Sequence, residues 1–188
     1  SSDKAKVIVG GATIKTDPQL SSSNLRYKYE KKIAQKHTAF QRQSRPYQSF
    51  RTTNFVIHRE VICTHPFDEN IARYGYEDVL FGKRLCDANI AIQHIDNPVV
   101  LTHFESNEKY VTKIEDAMHT LHDLQNDLSG YSPLLSAANR LKKMRLLPWV
   151  RSVFRKTSKT MRAKLVCDKP RISLLNPYKL GYFISIEE

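Results

Sequence analysis

Between residues 128 and 167 the chain carries ten Lys or Arg and not one Asp or Glu. Residues 1–127 hold 17 basic and 16 acidic side chains, and residues 168–188 hold three of each. Almost the whole formal charge of +11 on 188 residues therefore sits in one stretch. The organisation this implies is a near-neutral unit with one cationic segment. Such an excess points to nucleic acid, an anionic membrane or a phosphorylated ligand. The residues between the cations bear on the choice. Leu135, Leu141, Met144, Leu146, Leu147, Trp149, Val150, Val153 and Phe154 interleave with them. That is the pattern of a helix lying on an anionic membrane surface, with Trp149 at the headgroup level. A solvated basic helix packed on the domain would have the same composition. Nucleic acid is the weaker alternative, because the chain has no helix-turn-helix, zinc-finger or RNP-type pattern.

The hydrophobic fraction of 40% supports a buried core and excludes a disordered tail. The length suits one domain with an appendage. No stretch approaches the ~20 apolar residues of a membrane helix, and no signal-type apolar run follows Ser1–Lys4. The cysteines, Cys63, Cys86 and Cys167, are odd in number and form no CxxC pair. This argues against a disulfide framework or a thiolate zinc site and for free thiols in a reducing cytoplasm.

Along the chain, Lys6–Val9 reads as a short buried strand stopped by Gly10-Gly11. Asp17–Ser23 reads as a polar loop. Asn24 caps a helix from Leu25 to about Phe40, with Leu25, Tyr29, Ile33 and Lys36 at helical spacing. Gln41–Ser49 reads as a loop and Thr52–His58 as a strand. A helix begins at Glu77, strands follow at Ile90–Ile95 and Val99–His103, and the longest helix starts after Ser106 or Asn107 and runs to about Leu128. Its stripe is Tyr110, Val111, Ile114, Met118, Leu121, Leu124 and Leu128, and Gly130 ends it. Pro133–Leu147 reads as a basic helix ended by Pro148, Val150–Val166 as its basic continuation, and Gly181–Ile186 as a last strand. Helices alternating with strands give an α/β class.

The block with the most chemistry is Gly75-Tyr76-Glu77-Asp78. Two adjacent carboxylates at a helix start serve a general base or a metal, and equally serve plain N-terminal capping. The field of the helix start lowers a carboxylate pKa and so favours an ionised base. His94 and His103 lie on or beside successive strands and are candidate ligands or ordinary structural histidines. No Asp-x-Asp pair and no phosphate-cradling glycine motif occurs in the chain.

Several blocks occur in a fixed order: Val7–Gly11, Pro46-Tyr47, Phe50-Arg51-Thr52-Thr53-Asn54-Phe55, Phe67-Asp68-Glu69, Tyr74–Gly82, His94–Val99 and the helix from Asn107. Over about residues 5–128 this series resembles the acceptor-side half of a family 2 glycosyltransferase of the GT-A fold, of the bacterial kind that builds surface polysaccharides. The Gly-x-Glu-Asp block is also similar to the acceptor motif of galactosyltransferases. The resemblance implies a partial GT-A (Rossmann-like) domain at 1–128, to which charge and patterning add a basic amphipathic helical segment at 129–167 and a C-terminal strand or tail at 168–188.

It further implies that Asp78, with Glu77 as neighbour or alternative, deprotonates the acceptor hydroxyl. Asn54, Gly75 and Tyr76 would line the acceptor or donor-sugar pocket, and Gly10 and Gly11 would sit where backbone approaches the donor. A divalent metal, Mn or Mg, is implied, with His103 the nearest match to the family's histidine, which falls slightly earlier, where this chain has Leu101. The implied partners are a nucleotide-sugar donor, a saccharide or lipid-linked acceptor and an anionic membrane surface, at a cytoplasmic and peripheral location. The family's nucleotide-binding half, with its Asp-x-Asp clamp, would precede Val7. The expectation is therefore a fragment, or one part of a split enzyme, that binds a nucleotide-sugar poorly alone.

Overall fold

The structure, a computed structural model, describes residues 5–34 and 37–186. The chain is mixed α/β and 56% helical, with small sheets. It divides into two compact units. Among the described residues, one comprises 5–16, 30–34, 37–72 and 76–103, and the other 17–29, 73–75 and 104–186.

The first unit is built on three short strands, β1 (Val7–Val9), β3 (Phe55–Ile57) and β4 (Ile92–His94), in the order β3-β1-β4. β1 is antiparallel to β3, with Val9 opposite Phe55, and parallel to β4, with Val9 opposite His94. A parallel pair, β2 (Ala12–Ile14) and β5 (Val99–Leu101), forms a second sheet. The helices of the unit are α3 (Ala39–Gln43), α4 (Arg59–Thr64) and α5 (Glu77–Asp87). Val7, Val9, Phe50, Val61, Phe81, Leu85 and Ile92 form its core. Rings dominate the packing: Phe67 stacks on Phe81 at 4.1 Å between centroids, and Phe50 lies 5.3 Å from Phe81.

The second unit is helical. α1 (Pro18–Ser23) starts at Asp17, whose carboxylate accepts from the Leu20 N–H at 2.9 Å, with Pro18 in the first turn. That cap makes a helix of the expected polar loop. α2 (Leu25–Ala34), which belongs to this unit through Tyr29 and to the first from Glu30, begins where expected, with the Asn24 side chain accepting from the Tyr27 N–H. It stops well short of Phe40, and α3 starts afresh at a Thr38–Gln41 capping box. Lys36 lies outside the described residues. α6 (Asn107–Asp123) is capped by Ser106 and buries the expected stripe, which continues through turns to a fully buried Leu128. Gly130, at φ +73°, follows.

α7 (Pro133–Lys143) and α8 (Leu147–Val166) carry the cations. Pro148 does not end a helix; it occupies the first turn of α8, where its missing N–H costs nothing. The expected last strand is instead a helix, α9 (Leu175–Ile186). Its alternation is local. Its buried positions, Leu175, Tyr178, Gly181, Phe183 and Ile184, are spread round much of the helix circumference, as in a helix covered on several sides. It packs on α6 and α8. An ion-pair and hydrogen-bond cluster joins the three: Arg162 contacts Glu108 at 2.7 Å and Glu115 at 2.9 Å, and the Tyr178 hydroxyl donates to Glu115 at 2.5 Å. The carboxylate neighbours hold the Arg162 guanidinium's pKa up, and burial followed by Glu115 raises that of Tyr178. Among the described residues, no helix is long and apolar enough to cross a membrane.

Candidate functional site

Two groups of residues in the first unit concern function. The first is built around the turn after β1. Gly10 and Gly11 end the strand because side chains have no room there. A Cβ on Gly11 would lie 2.6 Å from Arg42 Nη1, and the residue has φ +83°, which favours glycine. A Cβ on Gly10 would collide with the Asn54 amide and the Asn97 carbonyl. Asn54 donates through Nδ2 to Gly11 O at 3.0 Å and to Asn97 O at 2.7 Å, while its own carbonyl accepts from the Gly10 N–H. The structure thus brings Asn54, which the sequence placed with Gly75 and Tyr76, against Gly10 and Gly11. Much of their polar capacity is spent on one another.

Arg42, which no sequence signal marked, is the hub beneath this turn. It is 7% exposed and donates to His94 Nδ1 (3.2 Å), His37 O (2.6 Å), Gly10 O (3.2 Å) and Ile95 O (2.8 Å). Desolvation lowers its pKa, with Asp96 opposing. Since Nδ1 of His94 accepts from Arg42, the ring proton belongs on Nε2, which donates to Pro46 O at 2.9 Å. Both ring nitrogens are therefore occupied structurally, and burial is the main cause of its lowered pKa. His94 is a buried strut, not an available ligand.

The second group is Asp78, Arg51 and Glu30. Arg51 grips the buried Glu30 with two bonds of 3.1 Å each. Both belong to a small cleft that also reaches Gly11, Thr13, Arg42 and Asn54. Asp78 lies at the start of α5, where the N-cap, Tyr76, has left-handed backbone (φ 68°) directly after Gly75 (φ 101°). A left-handed tyrosine is strained, and such strain concentrates at functional positions. A Cβ at Gly75 would also lie 2.6 Å from the Ala117 Cβ. The Asp78 pKa is raised, which corrects the expectation from the helix start. Desolvation is the largest effect. Arg51 and the N–H groups of Val79 and Asp78 itself pull downward without overcoming it, and Glu77 adds to the rise. Arg51 lies in the Phe50–Phe55 block, so its neighbourhood was visible in sequence. Glu30 and Arg42 gave no signal.

His103 is exposed and lies beyond the end of β5 at Leu101, outside the strand that the sequence extended to it. Among the described residues no three His, Cys, Asp or Glu side chains gather as a metal site. The donors present around His103 do not by themselves fit a divalent cation. The cysteines are free thiols.

No family model, curated protein or solved structure matches this chain.

Proposed function

We propose that the chain contributes the acceptor side of a glycosyltransferase, with Asp78 as the general base. The observation that carries this reading is the state of Asp78: a desolvated carboxyl beside Arg51, at a helix start reached through left-handed Tyr76. Burial makes the carboxylate a stronger base than one in water, which suits proton abstraction from a sugar hydroxyl. In the proposed step the acceptor O–H gives its proton to Asp78 as its oxygen attacks the anomeric carbon. The bond from that carbon to the diphosphate oxygen breaks with its electron pair, inverting the configuration. Glu77 is the neighbouring or alternative carboxylate, and Gly75, Tyr76 and Asn54 surround the sugars.

The reading includes a nucleotide-sugar donor, a saccharide or lipid-linked acceptor of bacterial surface polysaccharide synthesis, and a cytoplasmic location at the inner membrane face. The Mn or Mg ion it carries would be held mainly by a nucleotide-binding portion outside these residues, with His103 at most an added ligand. The test is Asp78→Asn in the chain joined to such a portion, with sugar transfer measured beside circular dichroism. Loss of transfer with the spectrum intact is expected, and retained turnover removes Asp78 as base. A non-catalytic basic binding module is the second reading, favoured by the exposure of eight of the ten cations between 128 and 167. Full transfer-independent function in Asp78→Asn would favour it.

A further inference from the structure

The interleaved apolar residues of the cationic segment do not share one environment. Leu135, Phe154 and Leu165 are buried in the interior of their unit. Met144 and Trp149 are each 65% exposed and Val153 is 40% exposed. Trp149 and Val153 are four residues apart on α8 and so share a face. Met144 caps α7, and Arg145, at φ 56°, turns the chain toward α8. The exposed apolar groups are thus concentrated at one elbow. Arg140, Lys142, Lys143 and Arg145 are exposed around it, and Lys156 is exposed one turn beyond Val153. Two other cations of the segment are engaged inward: Arg162 in the pairs with Glu108 and Glu115, and Arg151 through Nε to Ile184 O at 2.9 Å.

We infer that the α7–α8 elbow docks on an anionic lipid surface, with Trp149, Met144 and Val153 entering the headgroup layer and Arg140, Lys142, Lys143 and Arg145 engaging lipid phosphates. An aromatic and two aliphatic groups ringed by cations match a surface that is apolar below and anionic above. A flat polyanion such as DNA would pair the cations but leave the apolar groups in water. The inference rests on the peripheral placement proposed above and is independent of sugar transfer.

Trp149 is the chain's one tryptophan, so its emission reports on the elbow alone. The full chain is titrated with vesicles of phosphatidylglycerol mixed with phosphatidylcholine, with phosphatidylcholine vesicles, and with duplex DNA, at matched salt. The expected result is a blue shift and protection from acrylamide quenching with the anionic vesicles only. At about 1 kcal/mol per cation near such a surface, Lys142→Gln with Lys143→Gln weakens vesicle binding ~30-fold. Trp149→Ala, at an exposed position, weakens co-sedimentation with the same vesicles while the far-UV spectrum stays unchanged. Equal binding to both vesicle types, binding with unmoved Trp149 emission, or preference for DNA overturns the inference. None of these outcomes bears on the transfer assay of Asp78→Asn.

Discussion

Arg42 offers the sharpest test of how the turn at Gly10-Gly11 is held. Its guanidinium donates four bonds, to His94 Nδ1, His37 O, Gly10 O and Ile95 O. Arg42→Met keeps most of the apolar stem and deletes every donor. The His94 and Gly10 acceptors lie in buried bonds, so each is left unsatisfied at ~1–3 kcal/mol. The other two lie nearer the surface, where water can replace the lost donor. Against this stands the relief of no longer desolvating a guanidinium, the cause of its lowered pKa. The net expectation is a loss of ~2–4 kcal/mol, which at a urea slope of ~1–3 kcal/mol/M moves the midpoint down by ~1–2 M. Urea unfolding followed by circular dichroism measures it. A second substitution separates packing from hydrogen bonding. Gly11→Ala must endure its left-handed φ, at ~1–2 kcal/mol, and also contact with the guanidinium. In the Arg42→Met background only the first cost remains, so the two substitutions should be less than additive. A stability within ~0.5 kcal/mol of the parent for Arg42→Met, or strict additivity in the pair, refutes the hub.

Three further outcomes are expected. Gly181→Ala gains ~1 kcal/mol of helix propensity, but its Cβ would lie 2.7 Å from Phe154 Cγ; overpacking at ~1–3 kcal/mol then makes it net destabilising in a thermal melt, and Phe154→Leu should reverse the sign. His94 has a folded pKa below the 6.5 of the free ring, so the unfolded chain takes up the proton first and stability is lost as pH falls below 6.5; His94→Gln should flatten that slope in urea midpoints measured from neutral to acid pH. Asp78 has the opposite sign: its folded pKa is above 3.8, so its charge is a liability at neutral pH and stability is regained as pH falls through the folded pKa. Asp78→Asn should therefore be at least as stable as the parent at neutral pH, and a clear fall in its midpoint there would contradict the desolvated carboxyl.

Sequence carried far into the helices and less far into the strands. The α6 stripe from Tyr110 to Leu128 and the Asn24 cap could be read because a 3.6-residue period and a capping side chain are local signals. The strands are only three residues each, too short for alternation to set their ends, so Thr52–His58 shrinks to Phe55–Ile57. α9 failed for a related reason. It is apolar on nearly every side because neighbouring helices pack round it, so no single apolar stripe marks it as a helix. At the candidate site, Gly10, Gly11 and Asn54 were singled out in separate blocks, and their contact with one another was not foreseen. Arg42 and Glu30 were not singled out, because a buried charge is defined by its partners, which lie 52 residues away for Arg42–His94 and 21 for Arg51–Glu30.

The sign of the Asp78 shift bears most on chemistry. A carboxylate at a helix start gains from the dipole and from free N–H groups, worth ~0.3–1 kcal/mol at an exposed site. From sequence, only these favourable influences were visible, and they predict a lowered pKa. In the folded chain the same influences operate, from the N–H groups of Val79 and of Asp78 itself, and Arg51 adds to them. Removal of water nevertheless outweighs all three. A cap whose only task was to end a helix would gain nothing from that desolvation, since the same influences operate at a wetter position without it. A base gains directly, because a carboxylate less favoured by its surroundings takes a proton more readily. The cost is borne by the fold and the benefit falls to proton transfer, so replacing Asp78 should separate the two: stability kept or improved, transfer lost.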